Sequence, residues 1–166
     1  MSNQLRAQKI ESFGQAYLQV MAALEGIPES AWKFKPSPRE WSIHEVIIHL
    51  ADIEANAYVR VLKALAEPGG TIMPLDQDIW ANNLFYHNQD AYTALEVFKW
   101  LRKKTYGLLL LLPADKWANV MNHPEAGLVS IDSWLDNYEK HGRVHAEQIK
   151  RVYAQWQERN HVLSNA

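Results

Sequence analysis

Two histidines, His141 and His145, are spaced four residues apart in a stretch with helical periodicity. Residues at i and i+4 of an α-helix point the same way, with Cβ atoms roughly 5–6 Å apart, so both imidazoles can reach one metal ion. The apolar residues of this helix share that face: Ile131, Trp134, Leu135, Tyr138, Ile149, Val152 and Trp156. Burying an imidazole without a polar partner costs on the order of 1–3 kcal/mol of folding free energy, which favours a metal ion bound by both rings. The alternative is a pair of core histidines hydrogen-bonded to the backbone or to a tyrosine.

A third ligand is needed, because catalytic zinc sites commonly have three protein ligands and one open coordination position. His49 lies at the margin of another apolar stripe, next to Val46 and Ile53, and is the candidate; an ordinary, partly exposed histidine is the alternative. Asp52 follows one turn later. It is a candidate to orient an imidazole or to move a proton, or it is simply a solvated helix residue.

The other four histidines are not expected to be ligands. The helical wheel places His44 on the outward flank of its helix, and the rest fall in loops or at a frayed helix end: His87, His123 and His161.

Four long amphipathic helices are predicted to position the candidate ligands. The first covers residues 5–24 and ends at Gly26 and Pro28. Ser42, with Glu45 three residues later, has the capping-box pattern of a second helix that the sequence Pro68-Gly69-Gly70 ends. The third helix runs from Asp90 as N-cap to Leu112, and the fourth from Ser130 to about Arg159.

The segments between these helices are predicted to be irregular. Residues 67–89 form an aromatic-rich loop with room for a short helix, and residues 113–127 form another loop. No strand pattern of convincing length and no domain boundary are evident. The fold class predicted for residues 1–166 is therefore a single all-α domain, an antiparallel four-helix bundle with irregular loops.

Composition excludes several classes of function. A net charge of −2 and a pI near 6.4 give no positive footprint for nucleic acid. No apolar run is long enough to span a membrane, and the first residues lack the apolar core of a signal peptide. The absence of cysteine excludes disulfides, thiolate zinc sites and cysteine nucleophiles. We expect a cytoplasmic protein.

Three stretches of the sequence resemble one known family, the DinB-like superfamily of metal-binding four-helix bundles. The run from Trp41 to Asp52, Trp-Ser-Ile-His-Glu-Val-Ile-Ile-His-Leu-Ala-Asp, is similar to its second-helix motif, and residues 32–40 are similar to its lead-in. Residues 123–127 and 130–149, which contain His141-Gly-Arg-Val-His145, resemble its last loop and helix. The similarity covers nearly the whole chain in the right order.

The resemblance implies a metal-binding histidine triad with one residue from the second helix and two from the fourth, which map onto His49, His141 and His145. It implies one divalent ion, such as zinc, nickel, iron or manganese. Members of the family resemble thiol transferases that use bacillithiol or mycothiol, or are called metal-dependent hydrolases. No motif in this sequence matches a particular substrate.

Three functions remain open at this point. The first is an enzyme, in which the ion lowers the pKa of bound water or of a low-molecular-weight thiol for attack on a small electrophile, by S-transfer or by hydrolysis. Its pocket walls are expected from residues 67–89 and from the surroundings of Trp41 and Asp52. The second is a non-catalytic, stress-associated bundle stabilised by the metal. The third is a plain interaction module. A homodimer is compatible with all three.

Overall fold

A computed structural model describes residues 1–164 of the chain and shows a helical bundle with one small hairpin. The described residues form α-helices α1 (Asn3–Leu24), α2 (Glu29–Trp32), α3 (Ile43–Ala66), α4 (Gln77–Asn83), α5 (Ala91–Leu110) and α6 (Ile131–Ser164). Two short 3₁₀ turns occur at Tyr86–Asn88 and Ala114–Ala118, and strands β1 and β2 cover Val120–His123 and Gly127–Ser130. The predicted four-helix bundle is confirmed, with α1, α3, α5 and α6 as its members.

Local capping explains where three of the long helices begin. The Ser42 side chain accepts from the backbone N–H of Glu45 while the Glu45 side chain accepts from that of Ser42, so the predicted capping box is present. Asp90 accepts from two N–H groups in the first turn of α5, and Ser130 accepts from the backbone N–H of Ser133. The helix starts predicted from these residues are confirmed. At the other ends, α5 stops two residues earlier than predicted, and α6 continues to Ser164.

The direction of each helix follows from the contacts between helices. Arg6 pairs with Asp132 and Ser12 with Glu139, so α1 and α6 run in the same direction. By the same reasoning α3 and α5 run together, opposite to α1 and α6, since His44 contacts Gln89 and Glu54 contacts Arg102 further along both helices. Neighbours are antiparallel in the pairs α1–α5 and α3–α6 only.

This arrangement explains the long irregular segment between α3 and α5. Because the two helices point the same way, residues 67–90 must return along the bundle before α5 can begin. The segment contains the short helix α4 and the 3₁₀ turn that buries Tyr86. The predicted loop with a short helix is therefore confirmed.

The prediction that residues 113–127 form a loop without strands is wrong in part. β1 and β2 form an antiparallel hairpin in which Met121 pairs with Val129, and Gly127 has a φ of +72° at its turn. Backbone hydrogen bonds also join Asn122 to Gly70 and Ile72 in the segment after α3. Four-residue strands show too few alternations to be recognised, and the pairing of β1 with residues 70–72 joins segments that are distant in sequence.

A polar layer crosses the bundle at mid-height between two clusters of buried apolar residues. One cluster is built around Val46, Ile47, Phe98 and Ile149. The other contains Phe13, Ile53, Trp134, Leu135 and Tyr138. Arg102 and His141 fall between the two along α5 and α6, and Glu54 lies at the boundary on α3, directly after Ile53. The candidate ligands of α6 therefore lie near the middle of the bundle rather than at an end.

Helix α6 approaches α1 closely beside these ligands. A Cβ atom at Gly142 would lie 2.5 Å from the Cβ atom of Ala16, well inside contact distance. Glycine is therefore required here for close packing. Gly142, which follows the candidate ligand His141, sets how near α1 can lie to α6.

Candidate metal centre

Three histidines from two helices converge in the groove between α3 and α6. The Nε2 atom of His141 lies 3.4 Å from Nε2 of His49 and 3.2 Å from Nε2 of His145. One ring nitrogen of each residue lies within 4.8 Å of those of the other two. His49 is fully buried, whereas the side chains of His141 and His145 are partly exposed. Among residues 1–164, this is the one group of three potential metal-binding side chains that meets so closely.

These spacings fit a shared ion. Two nitrogens bound at about 2.0–2.1 Å in a tetrahedral arrangement are about 3.3 Å apart, and the two short separations fall on either side of that value. Neutral nitrogen donors suit zinc, nickel, copper or iron, whereas calcium and magnesium prefer oxygen. The residues present therefore fit a transition-metal ion or zinc.

The neutral state of the three rings also favours a cation in this position. Burial, and then the neighbouring His145, lowers the pKa of His49 to about 3. Burial and the charges of the other two rings and of Arg102 hold the pKa of His141 well below its usual value. Burial lowers the pKa of His145 as well, against the opposing effect of its hydrogen bond to Gln148. All three imidazoles are thus neutral at pH 7, the form that binds metals.

A family comparison agrees with this geometry. The model of the DinB superfamily matches residues 13–149, which include all three histidines and most of the bundle. The chain belongs to the DinB superfamily.

Proteins similar to this chain carry provisional names as metal-dependent hydrolases. One from Oceanobacillus iheyensis is 34% identical over 109 residues, which span 66% of this chain and 63% of that relative. One from Bacillus cereus is 30% identical over 109 residues, or 62% of its length. The matched region thus covers a little less than two thirds of these relatives.

A solved structure shows the same fold. YfiT from Bacillus subtilis superposes with a TM-score of 0.86, covers 95% of this chain and 90% of its own, and is 21% identical in sequence. It is described as a metal-dependent hydrolase, again provisionally, with an unusual four-helix bundle topology. The parallel pairing of α1 with α6 and of α3 with α5 described above is how this chain builds its four-helix bundle.

Two side chains hold the candidate ligands of this DinB-family site in place. Nδ1 of His145 lies 2.8 Å from Oε1 of Gln148, and donation to that oxygen leaves Nε2 with its lone pair. The ring of Trp41 lies against His49, with centroids 4.7 Å apart. Nδ1 of His49 is buried and has no hydrogen-bond partner, so packing rather than hydrogen bonding orients this imidazole. Trp41 was expected near the pocket, and Gln148 was not foreseen.

Asp52 does not contact an imidazole. Its Oδ2 atom accepts a hydrogen bond of 2.7 Å from the hydroxyl of Tyr86, and burial together with this carboxylate raises the pKa of that hydroxyl. Tyr86 in turn lies beside Trp41, with ring centroids 6.4 Å apart. The role predicted for Asp52 in orienting an imidazole is therefore not seen in residues 1–164; its carboxylate instead holds Tyr86, which packs beside Trp41.

The other histidines lie away from the triad, as expected, but one prediction about them is wrong. His44 is buried, and its Nε2 lies 2.9 Å from the carbonyl oxygen of Gln89, because the start of α5 packs beside the start of α3. His87 is exposed near His44, His123 lies in β1, and His161 lies in the last turns of α6.

A buried ion pair below the triad was missed at the sequence level. Arg102 of α5 donates to Glu54 of α3, and each side chain is 1% exposed. Arg102 also donates to the carbonyl oxygens of Phe13 and Tyr138, so one guanidinium contacts all four long helices. Burial raises the pKa of Glu54 to about 6, against the effect of Arg102. The sequence signal that could have predicted this pair is one charged residue on the apolar stripe of each helix, Glu54 on α3 and Arg102 on α5.

Proposed function

We propose that the chain is a divalent-metal-dependent hydrolase of a small molecule, with His49, His141 and His145 as the metal ligands. The observation that carries this proposal is the approach of three neutral ring nitrogens, two of their separations being 3.2 and 3.4 Å. The group contains no fourth histidine or carboxylate among the residues the structure describes. Three protein ligands are typical of sites that leave a coordination position for a reactant. The names of the relatives support hydrolysis.

When bound, the ion supplies Lewis acidity, which lowers the pKa of a water or thiol ligand and polarises an electrophile. The chain's own residues prepare this position. Gln148 fixes the tautomer of His145. Trp41 covers His49, and burial keeps the imidazoles neutral at pH 7. The partly exposed rings of His141 and His145 leave the α6 side accessible to a substrate.

A second candidate reaction is S-transfer from a low-molecular-weight thiol, and one observation favours it. No carboxylate in residues 1–164 is hydrogen-bonded to the triad, and Asp52, one turn after His49, accepts a hydrogen bond from Tyr86 instead. Hydrolysis usually needs a group that moves protons to the leaving group, whereas a thiol is acidic enough to react without a protein base. In this reaction a sulfur–carbon bond forms, the bond to the leaving group breaks, and the thiol proton leaves with the displaced group.

One experiment separates the two reactions. Protein loaded with zinc or nickel is incubated with a panel of esters, amides, epoxides and alkyl halides, with and without a small thiol, and products are identified by mass spectrometry. Hydrolysis products formed without thiol support the first proposal, and thioethers formed only with thiol support the second. His141→Ala should abolish either activity, while His87→Ala, an exposed histidine, should retain it. Absence of metal-dependent product across the panel would contradict both.

A further inference from the structure

A small cavity with polar side chains at its rim lies between α6, α3 and the β-hairpin, one helical turn from His141. Its volume is about 290 Å³. Its polar lining residues are Arg60 of α3, His123 of β1, and Ser133, Asn137 and Tyr138 of α6; the other lining residues, among them Trp134, are apolar. The apolar members and Tyr138 are largely buried, whereas Ala126, Ser133 and Asn137 are exposed at the rim. The lining contains no carboxylate.

Arg60 brings a positive charge to this cavity without an acidic partner. Its Nη1 donates to the hydroxyl of Tyr138 at 3.0 Å, and its Nη2 donates to the carbonyl oxygen of Met73. Its Nε is buried and has no hydrogen-bond partner. No ion pair within residues 1–164 includes this guanidinium. A partly buried arginine with unused donors is suited to bind a carboxylate or phosphate group.

His123 adds a further donor. Its Nδ1 accepts hydrogen bonds from the backbone N–H groups of Glu125 and Ala126, at 3.2 and 3.3 Å. The ring proton is therefore on Nε2, which makes that nitrogen a donor. The exposed side chains at the rim, Ser133 and Asn137, supply polar groups that an entering ligand can meet.

Tyr138 connects the cavity to the metal centre. Its hydroxyl is bonded to Arg60, and its ring meets the ring of His141 edge-on, with centroids 6.3 Å apart. Asn137 at the rim is one helical turn from His141, about 6 Å along α6. Tyr138 therefore contacts both sites, which lie about one helical turn apart along α6, within the length of a small molecule.

We infer that the cavity around Arg60 is a subsite for the carboxylate or phosphate group of the substrate whose reactive group lies at the histidine triad. The inference rests on the proposed function for the link between the two sites. Binding of an anion in the cavity is a separate property of Arg60 and His123. The subsite selects substrates, or thiol cosubstrates, in which a negatively charged group lies a small molecule's length away from the reacting atom.

Anion binding is tested on ¹⁵N-labelled, zinc-loaded protein titrated with inorganic phosphate and, separately, with succinate. The reporters are the indole N–H of Trp134, which is identified by its absence in Trp134→Phe, and the backbone amide of Asn137. Saturable shifts of these signals are expected with at least one of the anions, and the stronger binder identifies phosphate or carboxylate as the preferred group. Arg60→Met should weaken binding roughly ten-fold or more, since a charge-assisted hydrogen bond is lost.

The controls separate this subsite from the metal and from misfolding. Arg151→Met, which removes an exposed arginine elsewhere on α6, should bind as the wild type does. Asn137→Leu, a change at the exposed rim, should weaken binding without affecting the melting temperature. Shifts that persist in Arg60→Met, or no shift of Trp134 up to tens of millimolar of either anion, would overturn the inference. These results do not depend on turnover, so they remain distinguishable from failure of the proposed hydrolase.

Discussion

His145 and Gln148, one turn apart on α6, are joined by a hydrogen bond of 2.8 Å between Nδ1 and Oε1. Such a bond fixes which ring nitrogen is free to bind a metal and raises its basicity. We therefore predict that Gln148→Leu lowers zinc affinity by about 10- to 100-fold while the fold is retained. Competition titration with a chelating dye measures this. Gln148→Glu, which keeps an acceptor, should bind zinc at least as tightly, and equal affinity of the Leu variant and wild type would remove this role.

The ligand set itself predicts how metal content responds to substitution. Wild type loaded with zinc and desalted should contain one ion per chain, whereas His49→Ala, His141→Ala and His145→Ala should each contain almost none, because each supplies one of three donors. Elemental analysis by mass spectrometry gives the ratio. Zinc should also raise the melting temperature of wild type and leave that of the three variants unchanged, since a ligand stabilises only the state that binds it. His87→Ala, at an exposed position, should behave as wild type; a loss of metal there too would disprove the assignment.

The buried pair of Arg102 and Glu54 predicts an unequal response to single and double substitution. Arg102→Met or Glu54→Leu alone leaves an uncompensated polar group in a site where both side chains are 1% exposed, so each should cost about 3–5 kcal/mol of unfolding free energy. The double variant should recover much of that loss, because no charge then remains buried. Urea denaturation of the four proteins measures the coupling. Additive losses in the double variant would show that the two residues act independently.

The starts of the helices and the two candidate ligands of α6 were predictable because the information is local. Ser42 with Glu45, Asp90 and Ser130 cap the turn that follows each of them. The spacing of His141 and His145 places both rings on one face whatever the rest of the chain does. His49 could be named as the third ligand because its surrounding motif resembles the family pattern, since its distance from α6 depends on tertiary packing.

The features that were missed depend on contacts between distant segments. His44 is buried because α5 starts beside α3, a parallel arrangement that the pattern of a single helix does not contain. The hairpin depends on pairing with residues 70–72 as well as between its own strands. Glu54 and Arg102 were open to prediction, since each interrupts an apolar stripe and their charges are opposite.

The lowered pKa values of the triad predict how acid affects the metal-free protein. Between about 6.5, the ordinary histidine pKa, and about 3, the pKa of folded His49, the unfolded chain binds more protons than the folded chain. The free energy of unfolding must therefore fall as the pH is lowered through this window. Above the window the unfolded histidines are neutral too, and the titration of these rings no longer changes the stability. Urea denaturation in a chelator at several pH values gives the slope. Carboxylates contribute as well, so the test is the difference from His49→Phe, whose slope should be smaller; identical slopes would contradict the prediction.

Close packing of α6 on α1 predicts that Gly142→Ala destabilises the bundle. The added Cβ atom would lie 2.5 Å from that of Ala16 and 3.2 Å from its Cα atom, so the helices must separate, at a cost of about 1–3 kcal/mol. Because His141 precedes Gly142, the separation should also weaken zinc binding. Gly107→Ala is the matched control: this helical glycine on α5 has open space around its Cβ position, and alanine there should stabilise by about 0.4–1 kcal/mol. Ala16→Gly combined with Gly142→Ala should restore part of the lost stability, because it removes the opposing methyl group. Denaturation with urea and zinc titration of the wild type and these three variants would test this. A stability gain for Gly142→Ala would show that α1 can move away without cost.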